Sequence, residues 1–269
     1  MRWLAVLLGL LASVSATRAG STCEARATDP RSIAAAAQTA LRVVDALEAS
    51  AARVAVIARV GSDLTRHGLV YSHAGFVVRD HPDGVWTVVH LLNDCGTERS
   101  ALHAQGLVDF FADDLVNQDA RIVWLRPELQ QRLHDRLRGA DVAALHVQRY
   151  SIIARPGSRE FQNSTAWILE TIAAATTARH ETDRVAAYRI AERGGFRPDH
   201  VRIAWGKRVV GGLFAANANF TDHALATRLA GDYPVVTVRA IIRYLEDAGL
   251  ATGQAEWRNG RPLDRPGPA

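Results

Sequence analysis

The sequence predicts an α+β protein with an antiparallel sheet packed against helices, and three observations carry this prediction. Two apolar runs at residues 70–79 and 85–92 flank the turn-forming segment HPDG, a pattern typical of a β-hairpin. In residues 53–60 the alternate positions 54, 56, 58 and 60 are apolar and the opposite face carries Arg53 and Arg59, which predicts another strand of the same sheet. Residues 163–178 begin with capping side chains and continue with apolar residues at helical spacing, so we expect this helix to pack on the sheet.

Capping residues, chain breaks and periodicity predict the remaining elements. Residues 29–50 form an alanine-rich helix that Asp29 or Ser32 caps, and residues 127–138 form a helix that starts at a proline. Further helices are predicted at residues 183–193, 222–229 and 238–247. The segment after Cys95 is predicted to form a loop and then a short helix that ends near Phe111. Further strands are predicted at residues 121–125, 147–153 and within 196–214.

The composition fits one globular domain of an exported protein. Of the 269 residues 48% are hydrophobic and 22% are charged, and we expect a single domain over residues 23–250 with a flexible polar tail at 251–269. Residues 1–19 combine an early arginine, an apolar run and small residues before a cleavage point, which predicts a signal peptide. The protein is therefore expected to be periplasmic or secreted, without stable membrane insertion after cleavage.

The charge pattern argues against nucleic-acid binding. The net charge is +4, and removal of Arg2 and Arg18 with the signal peptide lowers it to +2. The remaining basic residues are scattered along the chain and form no block.

Cys23 and Cys95 are the two cysteines of the chain. An even pair in an oxidising compartment favours a disulfide, which would close a long loop and stabilise the fold by about 4 kcal/mol on the chain-entropy model. Two alternatives remain open: Cys95 is a free nucleophile near the histidines, or Cys23 is the acylated residue of a lipoprotein.

His73, His90 and Ser164 are the candidate catalytic residues. Each arm of the predicted hairpin carries one histidine, and side chains of paired strands meet when the register allows it. A histidine base can activate a serine, and the start of a helix offers free N–H groups to stabilise an oxyanion. The alternative interpretation of Ser164 is a simple helix cap, and that of each histidine is a structural polar residue.

A metal site is the weaker chemical hypothesis. His73 and His90 with Asp63, Asp80, Asp94 or His81 would supply zinc ligands, but the chain has no HExxH or CxxC spacing. It also has no GxSxG elbow, phosphate loop or Rossmann glycine pattern. We therefore expect neither a metal nor another cofactor.

The segments RVGSDLTRHGLVYSHAGFVVRD, VVHLLNDCG and SREFQNSTAWILE resemble the domain of unknown function 2145 family, which consists of exported bacterial proteins. The likeness covers roughly residues 23–250, and YSHAGF and QNSxxWxLE are its most specific parts. It implies no activity by itself.

A more distant resemblance connects the chain to circularly permuted papain-like proteins, including the lecithin:retinol acyltransferase-like and NlpC-type groups. The shared features are the S-H-x-G strand, a histidine on the next strand, and a later helix that opens after an asparagine. The resemblance implies a permuted papain-like fold in which His73 is the base and His90 orients it. The nucleophile position falls on Ser164, where those groups have cysteine.

Two functions of different classes follow. The first is an exported hydrolase or acyltransferase that acts on amide or ester bonds of cell-wall peptide or lipid, with Ser164 as nucleophile. The second is a non-catalytic envelope protein that uses the same scaffold for binding or assembly.

Overall fold

The structure is a computed structural model that describes residues 29–113, 115–178, 181–206 and 217–263. The helices are α1 (Pro30–Glu48), α2 (Leu107–Ala112), α3 (Pro127–Arg138), α4 (Ser164–Ala175), α5 (Arg184–Arg193), α6 (Leu225–Ala230) and α7 (Val238–Asp247). The strands are β1 (Val54–Arg59), β2 (His73–His81), β3 (Gly84–Asn93), β4 (Ser100–Gln105), β5 (Ala120–Leu125), β6 (Asp199–Arg202), β7 (Asp232–Val235), β8 (Ala251–Arg258) and β9 (Arg261–Leu263).

Seven of these strands form one antiparallel sheet in the order β4-β3-β2-β1-β5-β8-β9. The other two, β6 and β7, pair with each other in a small second sheet. This architecture confirms the predicted α+β class. The predicted hairpin is also confirmed, since Phe76 of β2 pairs with Val89 of β3 and the two-residue turn at 82–83 joins the strands.

The large sheet is covered by helices on both faces, because alternate residues of each strand enter two different cores. On one face Val56, Phe76 and Val89 pack with α3, α4 and α7. On the other face Ile57 and Val88 pack with α1 and α2. A side chain's position along its strand therefore decides which layer it reaches.

Helix α4 is the central helix of the first layer. All of its residues are buried, and α3, α5 and α7 surround it. Trp167 meets Phe76 edge to face, with 5.6 Å between the ring centroids. Asn163 is the N-cap, since its Oδ1 accepts a hydrogen bond from the Ala166 N–H at 2.7 Å. The alternative interpretation of Ser164 as the cap is therefore wrong, and Ser164 is the first helical residue.

A buried ion pair fixes α4 to α5. Arg184 donates to both carboxylate oxygens of Glu170 at 2.8 and 2.9 Å, and the Gln162 amide donates to the same carboxylate at 2.7 Å. Burial raises the pKa of Glu170 to about 6 despite the opposing effect of Arg184. The three hydrogen bonds offset the cost of removing this charge from water.

The C-terminal segment is a strand where the sequence predicts a flexible tail. Residues 251–258 form β8, which pairs with β5 inside the sheet. The polar composition of this segment does not prevent a buried strand, because its buried polar residue is hydrogen-bonded. Glu256 accepts hydrogen bonds from the Tyr71 hydroxyl at 3.0 Å and from Arg258 Nε at 2.7 Å. Residues 264–269 lie outside the described residues.

Other differences concern short segments. Strand β4 falls where a loop is predicted, and residues 147–153 form isolated bridges instead of the predicted strand. The predicted signal peptide, Cys23, and the second of the two strands predicted within 196–214, at residues 208–214, lie outside the described residues. No helix among the described residues is long and apolar enough to cross a membrane.

Candidate functional site

His73 and His90 lie together on one face of the sheet. His73 begins β2 and His90 lies near the end of β3, and 2.8 Å separates Nε2 of His73 from Nδ1 of His90. The two rings are in an edge-to-face arrangement, with centroids 5.1 Å apart. The prediction that the two hairpin arms bring their histidines into contact is therefore supported by the strand register.

Gln105, the last residue of β4, extends this contact into a chain of three side chains. His90 Nε2 lies 2.8 Å from Gln105 Oε1. With that oxygen as acceptor, His90 donates from Nε2, and its Nδ1 in the neutral ring accepts from His73 Nε2. His73 is left with a lone pair on Nδ1. We call His73, His90 and Gln105 the histidine chain.

Gly75 makes room for the histidine chain between the two histidine-bearing strands. A Cβ atom on Gly75 would lie 2.7 Å from Cγ1 of Val88 and 3.1 Å from Cβ of His90. Both distances are shorter than an ordinary carbon–carbon contact. The glycine of the S-H-x-G pattern is therefore a packing requirement of this site.

Arg59, Phe110 and Asp113 cover the histidine chain. The Phe110 ring contacts both histidines, with centroids 6.1 Å from His73 and 5.3 Å from His90. The Arg59 guanidinium lies 4.5 Å from the Phe110 ring centroid, donates to the Phe110 carbonyl, and pairs with Asp113 at 2.6 Å. Helix α2 thus places an aromatic ring over the two imidazoles, and an ion pair between Arg59 of β1 and Asp113, which follows α2, lies beside that ring.

Burial and the nearby arginine keep both histidines neutral near pH 7. Burial, and after it the Arg59 charge, lower the pKa of His90 to about 4 against the opposing effect of the hydrogen bond to Gln105. The pKa of His73 is well below its usual value, first because of burial and then because of Arg59 and His90. A base with a lowered pKa removes a proton from an alcohol poorly.

The structure does not bring Ser164 to the histidines. Helix α4 packs on the face formed by Phe76 and Val89, whereas His73 and His90 point to the Phe110 face. The Ser164 side chain is buried and lies beside the Tyr150 side chain, and burial raises the pKa of the Tyr150 hydroxyl to about 12. The expected Ser164–His73 contact is not formed because strand alternation directs the histidines to the opposite layer.

Cys95 is not part of the histidine chain either. It lies in the exposed turn after β3, five residues beyond His90, and extended chain rises about 3.3 Å per residue. Its expected disulfide partner, Cys23, lies outside the described residues, so that disulfide stays a prediction. Among the described residues, no group of three or more His, Cys, Asp or Glu side chains is arranged to hold a metal ion.

Three residues of this site escaped sequence analysis. Gln105 falls in the segment interpreted as a loop, and Phe110 in the short helix carries no chemical signal of its own. Arg59 alternates with valines, a pattern that predicts an exposed side chain, yet Arg59 is 3% exposed. The burial of Arg59 follows from the structure alone, because helices cover both faces of β1.

The fold and site define a class of α+β proteins with a seven-stranded antiparallel sheet, helices on both faces and a pair of contacting histidines on one face. A family model described as an uncharacterised protein conserved in bacteria matches residues 46–245, about three quarters of the chain. The chain therefore belongs to the DUF2145 family. No curated protein and no solved structure matches it.

Proposed function

We propose that this protein is an exported envelope protein that binds its ligand and does not use Ser164 for covalent catalysis. The observation that carries the proposal is the separation of Ser164 from both histidines by the sheet. A serine hydroxyl needs a base within hydrogen-bond reach, and here the polar group beside Ser164 is the Tyr150 hydroxyl, whose pKa burial raises to about 12. Export is proposed from residues 1–19, and cell-wall peptide or lipid is the proposed class of ligand.

The proposed architecture is a permuted papain-like scaffold with a degenerate site. Two features support it: the order of the two histidine strands before α4, and the buried helix that opens after Asn163. In this proposal the histidine chain is structural, because its inner nitrogens are engaged and both rings stay neutral.

Activity-based labelling tests the proposal against the rival Ser164-dependent hydrolase or acyltransferase. The purified mature protein, its Ser164→Ala variant and its His73→Ala variant are treated with a serine-directed fluorophosphonate. We expect no labelling of any of the three. Wild-type labelling that disappears in both variants overturns the proposal, because it requires an activated serine with His73 as its base.

A second probe tests the cysteines in the same samples. With the proposed disulfide, iodoacetamide modifies Cys95 only after reduction. Modification of Cys95 without reductant would contradict the disulfide and make that thiol the candidate nucleophile.

A further inference from the structure

A groove lined by three arginines lies between the loop at residues 155–160 and helix α5. Its volume is about 470 Å³. Arg155 and Arg159 lie on the loop, and Arg189 lies on α5. All three side chains are exposed, and the half-buried Tyr188 also lines the groove. We call this feature the arginine groove.

The loop that forms one wall of the groove is held rigidly. Ser158 is buried, donates to Asp222 Oδ1 at 2.8 Å, and accepts from the N–H groups of Glu160 and Phe161. The Arg155 N–H donates to the other Asp222 carboxylate oxygen at 2.8 Å. The Asp222 carboxylate is thus engaged by the loop, and its Oδ1 also lies 4.0 Å from Arg155 Nε, so it pairs with Arg155.

Gly157 seats the loop directly on the Tyr188 ring. It has a φ of +70°, and a Cβ atom there would lie 2.7 Å from Tyr188 Cδ1. This wall of the groove is therefore preformed, with the Tyr188 ring held against the loop. A preformed site reduces the ordering cost that a ligand must overcome.

Two of the three groove arginines, Arg159 and Arg189, are not paired with a carboxylate of the described residues and can contact a ligand. Glu160 pairs with Arg149, and Arg155 Nε donates to the Asp222 carbonyl oxygen at 3.1 Å. Within the described chain, Arg159 and Arg189 form no hydrogen bond or ion pair with a carboxylate. Both lower the pKa of Asp183, after the larger effect of its hydrogen bond from Ala186, so both lie near the start of α5. Glu192 is the remaining acidic group of the lining.

We infer that the arginine groove binds a phosphate-bearing ligand. A guanidinium offers paired N–H donors that match phosphate oxygens, and two free arginines match the charge of a phosphate better than that of a single carboxylate. The groove is larger than a phosphate ion, and the Tyr188 ring offers an apolar surface to the organic group attached to it. This inference rests on the proposed binding function and names the chemistry of its ligand.

Titration with phosphate compounds tests the inference. Inorganic phosphate, glycerol 3-phosphate and acetate are titrated into the full mature protein, and binding is followed by calorimetry. We expect glycerol 3-phosphate to bind more tightly than phosphate, and acetate to bind at least tenfold more weakly. Arg159→Gln and Arg189→Gln should each weaken phosphate binding about tenfold, since each removes charge-assisted hydrogen bonds. Arg193→Gln, an exposed arginine of α5 outside the groove, should leave binding unchanged.

A vesicle assay distinguishes the two sources of the phosphate group. Binding to phosphatidylglycerol vesicles that is lost in the Arg159→Gln/Arg189→Gln double variant identifies a lipid headgroup, and binding of the soluble compounds alone identifies a soluble ester. Absence of binding in all arms, equal binding of acetate, or binding unchanged in both groove variants overturns the inference. The binding assays and the fluorophosphonate assay are independent. Absence of ligand binding therefore refutes the phosphate site, whereas labelling of Ser164 refutes the proposed non-catalytic function.

Discussion

Replacement of Gly75 by alanine should destabilise the fold at the point where the two histidine strands approach most closely. The added methyl would meet Val88 Cγ1 at 2.7 Å and His90 Cβ at 3.1 Å, and both neighbours are buried. Overpacking of this kind costs about 1–3 kcal/mol. Removal of the glycine's unfolded-state freedom offsets about 0.5–1 kcal/mol of that cost. We therefore expect a net loss of roughly 1–2 kcal/mol, or about 2–8 °C in Tm for a domain of this size.

The measurement is a urea titration and a thermal scan of the oxidised protein, with Gly253→Ala as the matched control. Gly253 also lies in a strand of the large sheet, but a Cβ atom there would meet only Trp124 Cε3 at 3.6 Å, an ordinary contact. The control should be neutral or slightly stabilising. If Gly75→Ala were as stable as Gly253→Ala, the close packing of β2 against β3 and His90 would be wrong.

Three further perturbations test the core, the ion pair and the histidines. Phe76→Ala removes a fully buried ring that packs against Trp167 and should cost about 3–5 kcal/mol in urea unfolding, whereas Phe76→Leu should cost less. Glu170→Ala leaves Arg184 buried without its partner and should cost about 3–5 kcal/mol, and the Glu170→Leu/Arg184→Met double variant should recover most of this loss; equal stability of the single and double variants would contradict the ion pair. The pKa of His90 is lowered in the folded state from 6.5 to about 4, so the unfolded chain binds more protons between these pH values and stability falls as pH falls through this window. The wild type should therefore lose about 2 kcal/mol more than His90→Asn between pH 7 and pH 5, and parallel pH profiles would refute a neutral buried His90.

Local signals in the sequence predict much of the fold. Helix α1 begins after the predicted cap Asp29, and α3 has its predicted bounds at 127–138. The hairpin follows from its turn residues and its β-branched runs, because these features act within a few residues of one another. The sequence does not predict the edge strand β4, because its residues SALHAQ show no clear alternation of apolar and polar side chains.

The site was predicted in part, for a physical reason. The hairpin register brings His73 and His90 together, and adjacent strands are a short-range feature of the chain. The relation of Ser164 to His73 depends on which face of the sheet α4 covers, and only packing of the two layers decides that. A shift of one residue along a strand reverses the face of every side chain, so residue types and their order do not fix this relation.

The position of β8 within the sheet has a consequence for where the chain can be cut. The family match ends at residue 245, before β8, yet β8 separates β5 from the short strand β9. A fragment ending at residue 245 would keep the pairing of β5 with β1 but would lose β8. The backbone N–H and C=O groups on that edge of β5, a mostly buried strand, would then have no partner strand. Exposed apolar edges of this kind recruit strands from other molecules, so such a fragment would self-associate. The boundaries of an evolutionary match and those of an independently folding unit therefore differ in this protein.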